Sequence, residues 1–269
     1  MSSNPQRNLP EIPTAFSSLD GLGTPVAFFR ASRRARTIPL VCAVICVLAA
    51  AVILAYGIAA TGTAYSHYGW AAVQALGMRP LLIFWIFIAA GLISGIIAIS
   101  NWRRGVAVYE GGLAFRELSP TQTWKWEELA ALYVAVTRET GLFSRTRHKY
   151  TVENQNGTKG SFDDRLEGVV TLGAMLGRQI VERLYPRMAG SFNQGERVPF
   201  GALSIDQQGI RIKEQALPWA EVDHISLQRG NLKAQPRTGE VVGVPAAGIP
   251  NLDVLLLLLD HVTEIRLEE

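Results

Sequence analysis

Two stretches of this chain carry no charge and are too long for an ordinary soluble helix. Thr37 to Ala60 reads TIPLVCAVICVLAAAVILAYGIAA, 24 residues, and Pro80 to Ser100 reads PLLIFWIFIAAGLISGIIAIS, 21 residues. As helices they would be about 36 and about 32 Å long, enough to cross a hydrocarbon core of about 30 Å. Both are rich in Leu, Ile, Val and Phe, each worth about −0.3 to −0.6 kcal/mol at the bilayer centre. A transmembrane hairpin over 37–102 is therefore predicted, with spans near 37–60 and 80–100. A cleaved signal peptide fits the first span poorly, because its apolar stretch would be about 7–15 residues and would lie closer to a basic start.

The charge pattern orients the hairpin. Overall, 26 Lys and Arg face 23 Asp and Glu, and the +3 excess is local. Residues 1–36 hold five arginines against Glu11 and Asp20, residues 37–102 hold only Arg79, and the remainder is near neutral. Nucleic-acid binding, which a basic pI would suggest, loses its support once the charge is located. Arg30, Arg33, Arg34 and Arg36 precede the first span, and Arg103 and Arg104 follow the second. Excess cations on both flanks place both termini in the cytoplasm of an inner-membrane protein. The connecting segment 61–79, with its Tyr, Trp and small residues, is expected as a short outside loop. Residues 1–36 are expected as a flexible basic tail, with Phe28 and Phe29 at the inner leaflet. Gly91 and Gly95 form a small-residue pair for helix packing, within the hairpin or in a homodimer. Cys42 and Cys46 read as small apolar groups.

The rest of the chain is an internal repeat. Val106 to Phe115 (VAVYEGGLAF) matches Leu203 to Ile212 (LSIDQQGIRI), both alternating around a turn glycine as a β-hairpin does. Each is followed by a tryptophan, Trp126 or Trp219, and a further alternating stretch. The expected role of both indoles is core packing, with the N–H satisfied by a backbone carbonyl. Strands are expected over 148–154 and 158–162 around Asn156-Gly157, and over 231–234 and 240–244. One amphipathic helix should close each half: 164–185, capped by Asp163 or Asp164 and stopped by Pro186, and 251–267. Gly168, Gly173 and Gly177 fall in the first of these and permit close packing.

Short antiparallel strands followed by one helix resemble a pleckstrin-homology-like (PH-like) domain. The pattern V-x-V-x-x-x-G-L-x-F with W-K-W-E-E-L carries that resemblance over 104–188 and 198–269, with a linker near 187–197. The whole chain resembles uncharacterised bacterial two-span membrane proteins with tandem PH-like cytoplasmic domains. The fold class is then a membrane α-helical hairpin plus α+β modules, each a bent antiparallel sheet or partial barrel capped by a C-terminal helix. The resemblance implies lipid-headgroup or protein binding and no particular reaction.

No catalytic, cofactor-binding or metal-binding residues are predicted. His67, His148, His224 and His261 lack metal-site spacing, and no phosphate-cradling or nucleophile motif occurs. The one surface singled out is Leu142, Phe143, Arg145, Arg147 and Lys149, apolar groups beside cations that suit an anionic membrane surface. The expected role is a non-enzymatic scaffold binding membrane lipids and other membrane or cytoplasmic proteins. A sensor relaying a signal through the hairpin is the alternative, and an enzyme without a recognisable motif the third.

Overall fold

The computed structural model describes residues 16, 21–116, 120–139, 144–262 and 265–267. They form two compact units, one built from 30–105 and 115–121, the other from 1–29, 106–114 and 122–269. Two long apolar helices, antiparallel sheets and two further helices make the chain α+β.

The first unit is dominated by a helical hairpin, α1 (Arg33–Tyr68) and α2 (Trp70–Arg103). Both helices outrun the uncharged stretches, because the expected loop 61–79 is itself helical. The helices meet at the single residue Gly69, whose φ of 70° and ψ of −167° suit only a residue without a side chain. The polar end of α1 stays helical because its hydroxyls bond backwards. Thr61 Oγ1 donates to Gly57 O at 2.7 Å, and Ser66 Oγ to Thr63 O at 2.8 Å.

Contacts between the antiparallel helices span the hairpin. A Cβ on Gly91 would lie 3.4 Å from Cys46 Cβ, and one on Gly57 would lie 3.3 Å from Pro80. Gly95, expected to share the packing role, faces open space instead. At the base, Asn101 Nδ2 donates to Ala35 O at 2.7 Å. This bond has a covalent cause. Pro39 has no N–H to offer the carbonyl four residues before it, and Asn101 supplies the missing donor from the other helix. The outward faces remain apolar and bare: Leu48, Ile58, Leu82, Leu92 and Ile96 are each more than 60% exposed.

The second unit repeats one arrangement twice. In the first copy, β1 (Pro25–Arg30), β2 (Gly105–Tyr109), β3 (Gly112–Arg116) and β4 (Gln122–Lys125) are neighbours in that order. A single 3-10 turn at Trp126–Glu128 leads to β5 (Leu129–Glu139), β6 (Arg145–Asn154) and β7 (Lys159–Asp163), then to α3 (Val169–Asn193). In the second copy, β8 (Val198–Phe200), β9 (Leu203–Ile205), β10 (Gly209–Ile212) and β11 (Gln215–Pro218) precede a turn at Trp219–Glu221. There follow β12 (Val222–Gln228), β13 (Asn231–Pro236), β14 (Val242–Pro245) and α4 (Leu252–Leu259).

The counterpart of β8 is β1, so the first copy begins before the hairpin, which is inserted between its first two strands. The segment expected as a loose tail therefore includes a strand. Phe28 and Phe29, expected at a leaflet, pack within the protein. Phe29 is buried, and Phe28 lies 5.4 Å from the Phe16 ring beside Leu22 and Tyr109.

Both indole N–H groups find backbone carbonyls as expected, in matched geometry, but only Trp126 is buried in the core and Trp219 is half-buried. Trp126 Nε1 donates to Tyr109 O and Glu110 O at 3.1 and 3.0 Å, and Trp219 Nε1 to Asp206 O at 2.9 Å. Their backbone amides also match, Trp126 N to Gly111 O and Trp219 N to Gln208 O, both 3.1 Å. This closure requires the adjacent glycine. A Cβ on Gly112 would strike Trp124 O and come within 3.0 Å of Lys125 Cα; one on Gly209 would strike Leu217 O and come within 2.9 Å of Pro218 Cα.

The closing helices differ from expectation at their ends. α3 starts at Val169 after left-handed Gly168, not at an aspartate cap. Asp163 and Asp164 are used elsewhere, accepting from Arg165 N and His148 N. Pro186 does not stop α3, which runs through most of the expected linker to bury Phe192. Val170, on the first turn of this helix, is 52% exposed. α4 is shorter than expected, ending at Leu259, and β15 (Ile265–Leu267) then pairs in parallel with β12.

Gly209→Ala and Gly112→Ala should each lower stability by about 1–3 kcal/mol, since the obstructing atoms are backbone and cannot swing away. Thermal unfolding of the two variants measures this.

Candidate functional site

Three places bear on function: the joint between the two copies, the basic strand singled out from sequence, and the arginines flanking the hairpin.

The joint is built on Asn251. It is buried and left-handed, with φ 53°. Its side chain is not spent on capping α4. Oδ1 accepts from Leu132 N at 2.9 Å, Nδ2 donates to Ala130 O at 3.2 Å, and its own N–H donates to Leu132 O at 2.8 Å. These bonds serve β5 where a bulge between Leu129 and Ala131 interrupts pairing with β6. One residue of the second copy thus completes a strand of the first. In the sequence Asn251 marks only a helix start, because an Asn beside a proline carries no sign of a partner more than a hundred residues away.

Next to it, α3 and α4 approach through glycine. A Cβ on Gly177 would lie 2.8 Å from Asp253 Oδ2, and one on Gly173 would strike the Tyr150 ring. Desolvation by the surrounding protein raises the Asp253 carboxyl above its ordinary 3.8. Burial also raises the Tyr150 phenol, and Asp253 and Asp164 add to the shift. Asp206 shows the opposite balance. Desolvation pushes its carboxyl up, but hydrogen bonds from Arg197 and the amides of Gln208 and Gly209 outweigh it, leaving the pKa below 3.8.

A cleft of about 560 Å³ opens between the copies. Glu127 and Gln155 come from the first copy, Arg187, Met188 and Ser191 from α3, and Pro199 from the second copy. Its α3 wall exists because that helix continues past Pro186.

Of the predicted contact surface, Leu142 and Phe143 lie outside the described residues. Arg145, Arg147 and Lys149 are exposed on alternate positions of β6, about 7 Å apart and on one face. Their cross-strand neighbours are Glu139, Thr137 and Ala135, with Asp163 also opposite Lys149. The strand therefore brings the three cations together but sets acidic positions beside two of them. Of the topology arginines, Arg33, Arg34 and Arg36 lie in the first turn of α1, and Arg103 and Arg104 close α2 at the same end of the hairpin. Arg30 ends β1. Among the described residues, no group of three or more His, Cys, Asp or Glu is placed to hold a metal ion.

Asn251→Ala should cost about 2–4 kcal/mol, leaving β5 backbone groups without partners. Asn251→Gly keeps the left-handed backbone and should still lose most of this, as denaturant unfolding would reveal. Asp253→Asn should stabilise the protein at neutral pH. The raised pKa means that the stabilising protonated state is complete below 3.8 and lost as pH rises through the folded value. Melting curves of the variant and the parent should therefore converge on acidification.

No curated protein matches the chain. A family model does, over residues 4–266. The chain belongs to the family described as "Family of unknown function (DUF6585)".

Proposed function

We propose that this is an integral membrane protein whose two-helix hairpin anchors a tandem of PH-like modules to the inner face of the cytoplasmic membrane. There the modules act as a non-enzymatic scaffold for lipids and partner proteins. The observation that carries the reading is the bare apolar surface of the hairpin. Only 6% of the most apolar window of α1 and 11% of that of α2 is buried, whereas the core helix of a soluble protein would be covered. Connectivity supports a hairpin with both ends on one side. β1 leads into α1 and α2 leads into β2, and those strands are hydrogen-bonded neighbours. The arginines at the same end favour the cytoplasmic side.

The PH-like reading draws on the order of elements: a four-stranded meander, a tryptophan turn, three further strands and a helix, twice over. A scaffold role draws on the joint, since Asn251 and the α3–α4 contact tie the copies into one compact unit. The second reading, a sensor acting through the hairpin, has its own support. Both ends of the hairpin continue directly into strands of the first module, without a linker to absorb movement.

Carbonate washing of membranes should leave the full-length protein in the pellet; release into the supernatant would sink the anchor. In a Cys42→Ala, Cys46→Ala background, an impermeant thiol reagent should label Tyr68→Cys in intact cells and leave Pro120→Cys unlabelled. The reverse pattern would invert the topology. Cross-linking in membranes should recover a defined set of proteins if the scaffold reading holds.

A further inference from the structure

Residues 30–105 contain seven arginines and neither Asp nor Glu. Arg116 belongs to the same compact unit. In Arg36, Arg104 and Arg116 the guanidinium Nε is shielded from solvent and has no hydrogen-bond acceptor among the described residues. The three side chains are half-buried, and an anion reaching their guanidinium groups would satisfy a donor that water does not.

The backbone places Arg36 and Arg104 at the same end of the hairpin, and Arg116 opposite the start of the strand that Arg104 leads into. Arg36 follows Ala35, whose carbonyl holds Asn101, and Arg104 lies three residues beyond Asn101. Arg104 leads directly into β2. β2 and β3 are adjacent and joined only by Glu110 and Gly111, so the end of β3 at Arg116 lies opposite the start of β2 at Gly105. Local electrostatics point the same way. The first turn of α1 contains three arginines and no acidic residue. Cations at a helix N-terminus oppose the helix dipole, and an anion there relieves both.

We propose that Arg36, Arg104 and Arg116 form a binding site for a phosphate oxyanion, supplied by the headgroup of an anionic phospholipid. Guanidinium forks suit the several oxygens of a phosphate, and a carboxylate would engage fewer of them. The lipid source follows from what adjoins the site. Arg36 is followed at once by the apolar stretch of α1, where Ile38, Val41 and Ile45 are all more than half exposed and can receive acyl chains. This inference rests on the membrane anchor proposed above and assigns its ligand.

The test uses the full-length protein, delipidated in mild detergent and titrated separately with phosphatidylglycerol, phosphatidylcholine and inorganic phosphate. Bound lipid is counted by native mass spectrometry. Phosphatidylglycerol should bind at least about fivefold more tightly than phosphatidylcholine, and Arg36→Gln, Arg104→Gln and Arg116→Gln should each remove about that factor. Arg178→Gln, on the exposed face of α3, should leave the preference unchanged. If a glutamine variant fails to fold, the lysine variant keeps the charge without the fork and should lose at least half of the preference. Equal binding of the two lipids, or full preference retained in every variant at 36, 104 and 116, overturns the site. Displacement of phosphatidylglycerol by equimolar inorganic phosphate overturns the lipid source. Carbonate washing separates this inference from the one beneath it: protein released from membranes negates the anchor, whereas retained protein without headgroup preference negates the phosphate site alone.

Discussion

The pairing of β1 with β2 is the constraint on which the rest of the structure depends. These neighbouring strands are separated in sequence by the entire helical hairpin. A flexible insertion of that length would add a closure cost growing with the logarithm of its length. A pair of antiparallel helices largely removes this cost, because it returns the chain to where it left. Ser32 starts α1 by accepting from Ala35 N, and Asn101 binds the Ala35 carbonyl that Pro39 leaves unserved. The hairpin base is thus stapled just before the chain enters β2. In the second copy β8 passes to β9 through a short turn, so the same sheet forms with or without the insertion.

The two copies share the local device that closes each first sheet. An indole N–H and a backbone amide from the tryptophan turn bond to the preceding β-hairpin, and a glycine lets the next strand approach. What differs is the joint. Asn251 belongs to the second copy but satisfies a bulged strand of the first, so the pair is not two interchangeable beads. The two copies thus form one compact unit, and an arginine-rich apolar hairpin is spliced between the first two strands of one of them.

Much of this was legible in the residues, and the legible parts were local. The uncharged stretches announce α1 and α2, alternation around Gly112 and Gly209 announces β-hairpins, and Trp126 and Trp219 mark the turns. Features that depend on distant partners were not legible. Pro186 looks like a helix stop because an interior proline costs a hydrogen bond, yet the helix continues and Phe192 beyond it is buried. Asp163 and Asp164 look like caps because their neighbours in sequence need donors satisfied, yet their oxygens serve a turn and a facing strand. Arg116 carries no signal at all, and only the β2–β3 adjacency sets the end of β3 opposite the start of β2.

By itself, then, the sequence determined which segments are apolar, which alternate, and which end of the hairpin is basic. These are properties of neighbours along the chain, set by side-chain chemistry and by the periods of helix and strand. Tertiary structure decided that the first copy begins ahead of the hairpin, that Asn251 joins the copies, and that Asn101 closes the base of the hairpin on the Ala35 carbonyl. Each of these is a pairing between residues far apart in sequence, and no periodicity records which distant backbone group a side chain will satisfy.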